Sequence, residues 1–486
     1  MNTEELIDRL TLREKADLLT GKDFWQTQEV EREGIPSIFL SDGPHGLRRQ
    51  ASKADHLGLN PSIPATCYPT AAAMANSWNE ALGEQLGAAL GEEASSLNVN
   101  VLLGPGTCMK RNPRCGRNFE YFSEDPYLAG KMSASYIRGI QSAGVSACVK
   151  HFAANNQEER RMVSDSVMDE RTLREIYLTA FEIAVKEGKT QAIMSSYNKI
   201  NGVFADENAH LLRDILRGEW GFDGAVISDW AGCNNKVQST IAGGNLEMPS
   251  CKYGADDIVA AVESGALDIK YVDESVRYVL ELIDRTTRAQ HGKPFDVDAH
   301  DALAKRCADE SLVLLKNDGT LPLDGSLKVA IIGDFAQQPR YQGAGSSIVN
   351  PTKLTSLLDV KDKLNFIGYE RGFNRYGKDK PRLLNKAVKL ARQADVTVLC
   401  LGLDEVTEAE GLEREYPYPP KPDRSLQAAA RVQQAAGCGA FVRQLGRNGL
   451  YAQRQRNPLR QLKRSGGRPL GNGRAYRRNQ SLGQAC

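Results

Sequence analysis

Five residues able to do acid, base or hydroxyl-gripping chemistry stand at or near the ends of short apolar runs. They are Asp42 in IFLSDGPHG (38–46), Lys150 and His151 in ACVKHF (147–152), Tyr197 in AIMSSYN (192–198) and Asp229 in GAVISDW (224–230). Any one of them could simply cap the helix that follows, a common place for Asp. Five together, drawn from separate runs, make a polar pocket instead. Metal chemistry does not fit the pattern: HExxH is absent, and His151 is a lone histidine beside a lysine. A phosphate loop of the form GxxxxGK[ST] is absent as well. Hydroxyl-seeking groups with an adjacent ring, Trp230, suit a sugar, whose apolar face can stack on the indole. Cleavage of a glycosidic bond would then use Asp229 against the anomeric carbon while a second carboxyl protonates the leaving oxygen. In retaining hydrolysis the two lie about 5–5.5 Å apart.

The elements that must position these groups follow from the same runs. A further apolar run, NVLLGPG (100–106), precedes ACVKHF. Helix-like segments separate the runs at 77–96, 169–188 and 207–217, and in 169–188 Leu173, Ile176, Tyr177 and Ala180 fall at helical spacing. Strands alternating with helices predict a mostly parallel α/β sheet, and this many units favour a barrel whose mouth gathers the strand ends. A doubly wound sheet is the alternative, weakened by the lack of a GxGxxG after an early strand.

The strings SDGPHGLR (41–48), NPRCGRNFEYFSEDP (112–126), KHFAANNQEERR (150–161), MSSYNKINGVFADEN (194–208) and EWGFDGAVISDW (219–230) together resemble glycoside hydrolase family 3, and most of all its bacterial β-glucosidases. The resemblance runs over about residues 3–423. It implies an α/β fold in which an N-terminal TIM-type (β/α) barrel, 1–285, leads through a linker, 286–305, to an α/β sandwich domain, 306–423, with the active site between them. It also implies a retaining β-glucosidase that removes terminal β-D-glucosyl residues from glucosides or short oligosaccharides, with Asp229 as nucleophile. A β-xylosidase of the same family is the alternative. The sugar would be held by residues matching Asp42, Arg117, Lys150, His151, Arg161, Tyr197 and Trp230.

Each implied role has a physical reason. Asp42 and the Lys150–His151 pair can grip two hydroxyls through charge-assisted bonds. Arg117 and Arg161 offer donors, and their charge would keep Asp229 ionised. Tyr197 could hydrogen-bond the nucleophile. Glu120, Glu124 and Asp125 read as loop-fixing acids. KHFAANNQEERR lacks the second histidine of the KHFPGHG-type string in the family's N-acetylglucosaminidases, which points to a glutamate acid/base in the second domain. EVTEAEGLERE (405–415) resembles the family's acidic loop, whose glutamate before glycine is Glu410 here. Glu413 stands where an aspartate is usual, and Glu405 and Glu408 are alternatives in the same loop. No cofactor is implied, since two carboxylates suffice.

Around that loop, 308–323 reads as an entry helix and turn, 328–334 and 396–403 as strands, 341–351 as a small-residue loop and 386–395 as an amphipathic stretch. The chain of 486 residues is 41% apolar, enough for two to four domains. It contains no apolar run of transmembrane length, its first residues are charged, and its ten cysteines form no CxxC pair. A reduced, cytoplasmic protein with no membrane association is expected. All 61 acidic residues precede Arg424, whereas 13 of the 62 basic ones follow from there on. This basic, Gln- and Gly-rich tail, 424–486, reads either as a disordered nucleic-acid-binding arm or as the product of a reading-frame shift. The second reading is preferred, so no nucleic-acid partner is expected. The sandwich domain is then incomplete, its sheet missing later strands and exposing an edge, and the Glu410 loop loses support. A catalytically impaired sugar-binding protein with a basic tail is the rival function.

Overall fold

A computed structural model describes residues 2–50, 60–289, 291–376, 380–405 and 407–414, together with the backbone of 440–445 and 449–454. Leu40–Asp42, Val101–Leu103, Ser146–Phe152, Ala192–Ser195 and Ala225–Ile227 pair in that order, and every pairing is parallel. All five are buried along their length, which is why they read as continuous apolar runs. Alternate residues serve opposite faces. Leu102, Ala147, Val149, Ile193 and Val226 pack with the helices Glu80–Ser96 and Pro126–Ser142, while Val101, Leu103, Cys148, Ala192, Met194 and Ile227 pack with Thr3–Arg9 and Ile269–Thr287. The ring closes through single bridges rather than further long strands. Ile227 meets Leu246 and Glu247 meets Thr20 in parallel, then Gly21–Thr27 and Gln26–Phe39 return antiparallel to the first strand.

The helices expected between the strands form. Asn79 caps Glu80–Ser96 by accepting the Leu82 N–H at 3.1 Å. Asp125, read as a loop acid, caps Pro126–Ser142 by accepting the N–H groups of Tyr127 and Leu128 at 2.8 and 3.1 Å. These two helices cross closely because Gly87 lacks a side chain: a Cβ there would lie 2.4 Å from the Tyr136 carbonyl oxygen. The 169–188 segment is helical from Glu170 to Lys186 with a π-helical turn at Leu173–Leu178, and His210–Glu219 covers the third.

The second domain departs from expectation in three places. The helix Val297–Ser311 starts inside the presumed linker and crosses residue 306. It packs on the barrel, with Cys307 in the barrel's core cluster. Val313–Asn317, read as part of an entry helix and turn, is a strand. The third departure is the sheet itself, which has six strands in the order Phe366–Glu370, Val329–Ile332, Val396–Cys400, Ala440–Leu445, Gly449–Arg454 and Val313–Asn317. All pairings are parallel except that between Ala440–Leu445 and Gly449–Arg454. Those two strands come from the tail expected to lack structure. AFVRQL and GLYAQR carry enough Phe, Val, Leu and Tyr to suit a strand, and they bridge Val396–Cys400 to Val313–Asn317, whose pairing edges would otherwise be open. The rest of 424–486 lies outside the described residues. Among the described residues no helix is long and apolar enough to cross a membrane.

His300 fastens the helix Val297–Ser311 to the barrel, its Nδ1 2.8 Å from Glu93 and its Nε2 3.1 Å from Glu92. Burial opposes the imidazolium, but the two carboxylates outweigh it and raise the pKa above the ordinary 6.5. Stability from this group is therefore fully present below pH 6.5 and is lost as pH rises through the raised value. His300→Gln is expected to cost about 1–3 kcal/mol at pH 6 and clearly less at pH 9. Thermal unfolding at both pH values checks this, and an equal loss at both rejects a charged latch.

Candidate active site

Parallel strands put their C-terminal ends at one mouth, and the five groups meet there. Asp42 is the last residue of its strand, Lys150 and His151 lie near the end of theirs, and Tyr197 and Asp229 each follow theirs by two residues. All five are buried. Lys150 Nζ donates to Asp42 Oδ1 at 3.2 Å, and Arg48 Nη1 stands 3.5 Å from Asp42 Oδ2. Burial works against the Lys150 ammonium, but Asp42 and Glu120 outweigh it and raise its pKa. His151 goes the other way: burial and the charges of Arg117, Lys150 and Arg161 hold it well below 6.5, so its ring is neutral. The Tyr121 hydroxyl is 3.1 Å from His151 Nδ1, and Nε2 lies 3.6 Å from Asp229 Oδ2.

Asp229 has two unlike oxygens. Oδ1 accepts the Trp230 N–H at 2.7 Å. Oδ2 is buried, and among the described residues no donor of ordinary hydrogen-bond geometry reaches it. Burial raises the Asp229 pKa and Glu410 adds to the rise; Arg117 and Arg161 offset only part of it. The Tyr197 hydroxyl donates to the Trp230 carbonyl at 3.0 Å. The Trp230 indole N–H donates to the Phe24 carbonyl at 2.9 Å, and its ring lies against Trp25, 5.2 Å between centroids. These contacts fix the indole beside Asp229.

Glu410 reaches the same place from the second domain. Its Oε1 is 2.8 Å from Arg161 Nη2 and 3.5 Å from Arg117 Nη1, and its Oε2 accepts the Ser346 N–H at 2.7 Å. Burial would raise its pKa, but the two arginines and the Ser346 N–H prevail and hold the carboxyl well below the usual range. Both arginines thus turn to Glu410, a contact the sequence left open. Each is also held from behind, Arg117 by Glu120 and Arg161 by Glu158. Arg161 further lies over the Tyr197 ring, 4.6 Å from its centroid.

The Glu410 loop is well supported, contrary to expectation. Gly116 N donates to the Leu412 carbonyl at 3.0 Å, Arg414 N to the Arg114 carbonyl at 2.7 Å, and Glu410 N to the Ala344 carbonyl at 2.9 Å. The small-residue loop 341–351 and the barrel loop around 114–118 grip it from two sides. The other acids of the loop are engaged elsewhere: Glu408 pairs with Arg340 at 2.7 Å and with Arg414, and Glu405 with Arg375 at 3.1 Å. Sequence reasoning missed Arg48 and Glu158, although both lie inside the quoted strings. It also missed the Ser346 N–H, because a backbone donor leaves no residue-type signal.

Residues 15–282 match the model of the glycosyl hydrolase family 3 N terminal domain, and residues 312–437 match that of its C-terminal domain. The chain belongs to glycosyl hydrolase family 3. The C-terminal match runs past Asp423, the boundary set by composition. This family 3 chain is 48% identical over 445 residues to thermostable beta-glucosidase B of Acetivibrio thermocellus, covering 89% of this chain and 58% of that protein. It is 46% identical over 429 residues to an exo-alpha-(1->6)-L-arabinopyranosidase of Bifidobacterium longum, covering 85% and 56%. Among solved structures, a GH3 beta-glucosidase of Bifidobacterium adolescentis superposes with a TM-score of 0.82 at 42% identity, covering 90% of this chain and 63% of that one. Beta-glucosidase 3B of Thermotoga neapolitana, in complex with alpha-D-glucose, gives 0.81 at 33%, covering 92% and 69%. The family 3 chain therefore spans less than two thirds of the length of these curated relatives.

Proposed function

We propose that this protein is a retaining β-glucosidase acting on terminal β-D-glucosyl residues. The observation that carries the reading is the buried Asp229 Oδ2, which no hydrogen-bond donor of ordinary geometry among the described residues reaches, within the charge influence of Glu410 and of the two arginines that contact Glu410. In the first step an Oδ2 lone pair attacks the anomeric carbon. The bond to the leaving oxygen breaks, and that oxygen takes a proton from Glu410. In the second step Glu410 removes a proton from water, which displaces Asp229 and releases the sugar. Glu410 as found is ionised, the form required by the second step. The first step needs a proton on it, so the arginine contacts at Oε1 must loosen as the glycosidic oxygen arrives. Asp42, Lys150 and His151 would hold hydroxyls, and Trp230 would stack beneath the ring. A glucosidase among the relatives and a glucose complex among the structural neighbours support the sugar assignment. A reduced, cytoplasmic setting goes with this reading, and none of the eight described cysteines is joined in a disulfide.

One observation favours a second sugar: an arabinopyranosidase is almost as similar as the glucosidase. α-L-Arabinopyranose lacks the hydroxymethyl arm of glucose and carries an axial 4-hydroxyl. Initial rates on 4-nitrophenyl β-D-glucopyranoside, β-D-xylopyranoside and α-L-arabinopyranoside separate the readings. The glucoside is expected to lead in kcat/KM by about tenfold or more, the worth of one well-held hydroxymethyl group. A lead for the arabinopyranoside would change the sugar and keep the mechanism. Release from none of the three would reject it.

A further inference from the structure

Glu158 acts in neither proposed step, yet it is a charged residue only 2% exposed. Burying a carboxylate is costly unless its partners are well placed, and those of Glu158 are specific. Its Oε2 accepts from Arg161 Nη1 at 2.8 Å and from the Gly411 N–H at 2.7 Å. Its own N–H donates to Glu413 Oε1 at 2.7 Å. One residue of the barrel thus holds the arginine that touches Glu410, the amide next to Glu410 and a side chain three positions further on. Gly411 sits at φ +77°, the left-handed region open to glycine. This accounts for a glycine directly after the acid. Glu120 has the simpler part of holding Arg117.

We propose that Glu158 is a positioning residue for the acid/base Glu410, fastening its loop to the barrel and fixing Arg161 against it. The catalytic consequence rests on the β-glucosidase reading; the fastening belongs to the fold. Burial, offset only in part by Arg117 and Arg161, pushes the Glu158 carboxyl up to about 7. Removing its charge has two effects in the same direction. The tie at Gly411 weakens, because a neutral amide oxygen accepts less strongly than a carboxylate oxygen, and Arg161 is left with Glu410 as its remaining carboxylate partner, which holds Glu410 more firmly ionised. Both weaken proton delivery to the leaving group while sparing the attack by Asp229.

The test uses the full chain as wild type, Glu158→Gln and Glu158→Asp. Hydrogen exchange is followed over 408–414 and over barrel peptides, and kcat/KM is measured on cellobiose and on 2,4-dinitrophenyl β-glucoside, whose leaving group needs no proton. For Glu158→Gln, exchange over 408–414 is expected to quicken about tenfold, with the barrel peptides unchanged. Its kcat/KM on cellobiose is expected to fall about 10²-fold, as for a displaced catalytic group, and by less than about threefold on the activated substrate. Glu158→Asp keeps the charge on a shorter arm, should fall between, and serves if the glutamine variant does not fold. Unchanged exchange over 408–414 overturns the fastening whatever the substrates show, and an equal loss on both substrates overturns the positioning role. If wild type cleaves neither substrate, the glucosidase reading fails, while the exchange result still decides the fastening.

Discussion

Asp229→Asn is expected to lower kcat/KM on 4-nitrophenyl β-glucoside by about 10⁴–10⁶-fold, the range seen when a nucleophile is removed, with glucose binding retained. The substitution is nearly isosteric. The amide oxygen can still accept the Trp230 N–H that now bonds Oδ1 at 2.7 Å, so the loop should keep its shape. What disappears is the charged oxygen assigned to attack the sugar. A direct check is trapping with 2,4-dinitrophenyl 2-deoxy-2-fluoro-β-glucoside, whose glucosyl-enzyme forms faster than it breaks down. Mass spectrometry should find the label on the peptide containing Asp229, and a label elsewhere, or a variant keeping more than about 1% of activity, rejects the assignment. The pH dependence has a definite sign as well. Burial raises the Asp229 pKa, and attack needs the ionised form. Activity on an activated substrate should therefore fall with decreasing pH from above the ordinary carboxylate range.

Glu410→Gln is expected to divide substrates by leaving group. On cellobiose kcat/KM should drop about 10²–10⁴-fold, the worth of general acid catalysis. On 2,4-dinitrophenyl β-glucoside kcat/KM should stay within about tenfold, because that leaving group departs without a proton. The second step still lacks its base, so kcat falls on both substrates and glucosyl-enzyme accumulates. Azide needs no base; it should restore kcat on the activated substrate and yield β-glucosyl azide. Azide without effect, or equal loss of kcat/KM on both substrates, rejects Glu410. Glu408 and Glu405 are weaker choices on geometry, being tied to Arg340 and Arg375 in the second domain.

Much of this site is legible in the amino-acid sequence, and the reason is local. Parallel strands buried on both faces read as unbroken apolar runs, and the polar residue that ends each run is the one delivered to the mouth. That rule alone places Asp42, Lys150, His151, Tyr197 and Asp229. The boundary at Asn79 carries its cap in the sequence, whereas Asp125, read as a loop-fixing acid, caps a helix the sequence reading did not mark.

What the tertiary structure decided is non-local. Val313–Asn317 is a strand because its partner, Gly449–Arg454, lies more than a hundred residues away. Composition hid that partner, since Arg, Gln and Gly outnumber the strand formers around it. Arg117 and Arg161 turn onto Glu410 only because loops of two domains meet, and no spacing within either domain records that meeting. Glu158 lay in plain sight in KHFAANNQEERR, but its importance depends on the Gly411 N–H, a backbone group present at almost every residue and therefore silent in the sequence. Residue types determined which chemistry this chain could attempt. The packing of one domain on the other decided which charged groups meet, Glu410 with Arg117 and Arg161, because interaction energies at charged sites depend on distance and burial, and sequence order encodes neither.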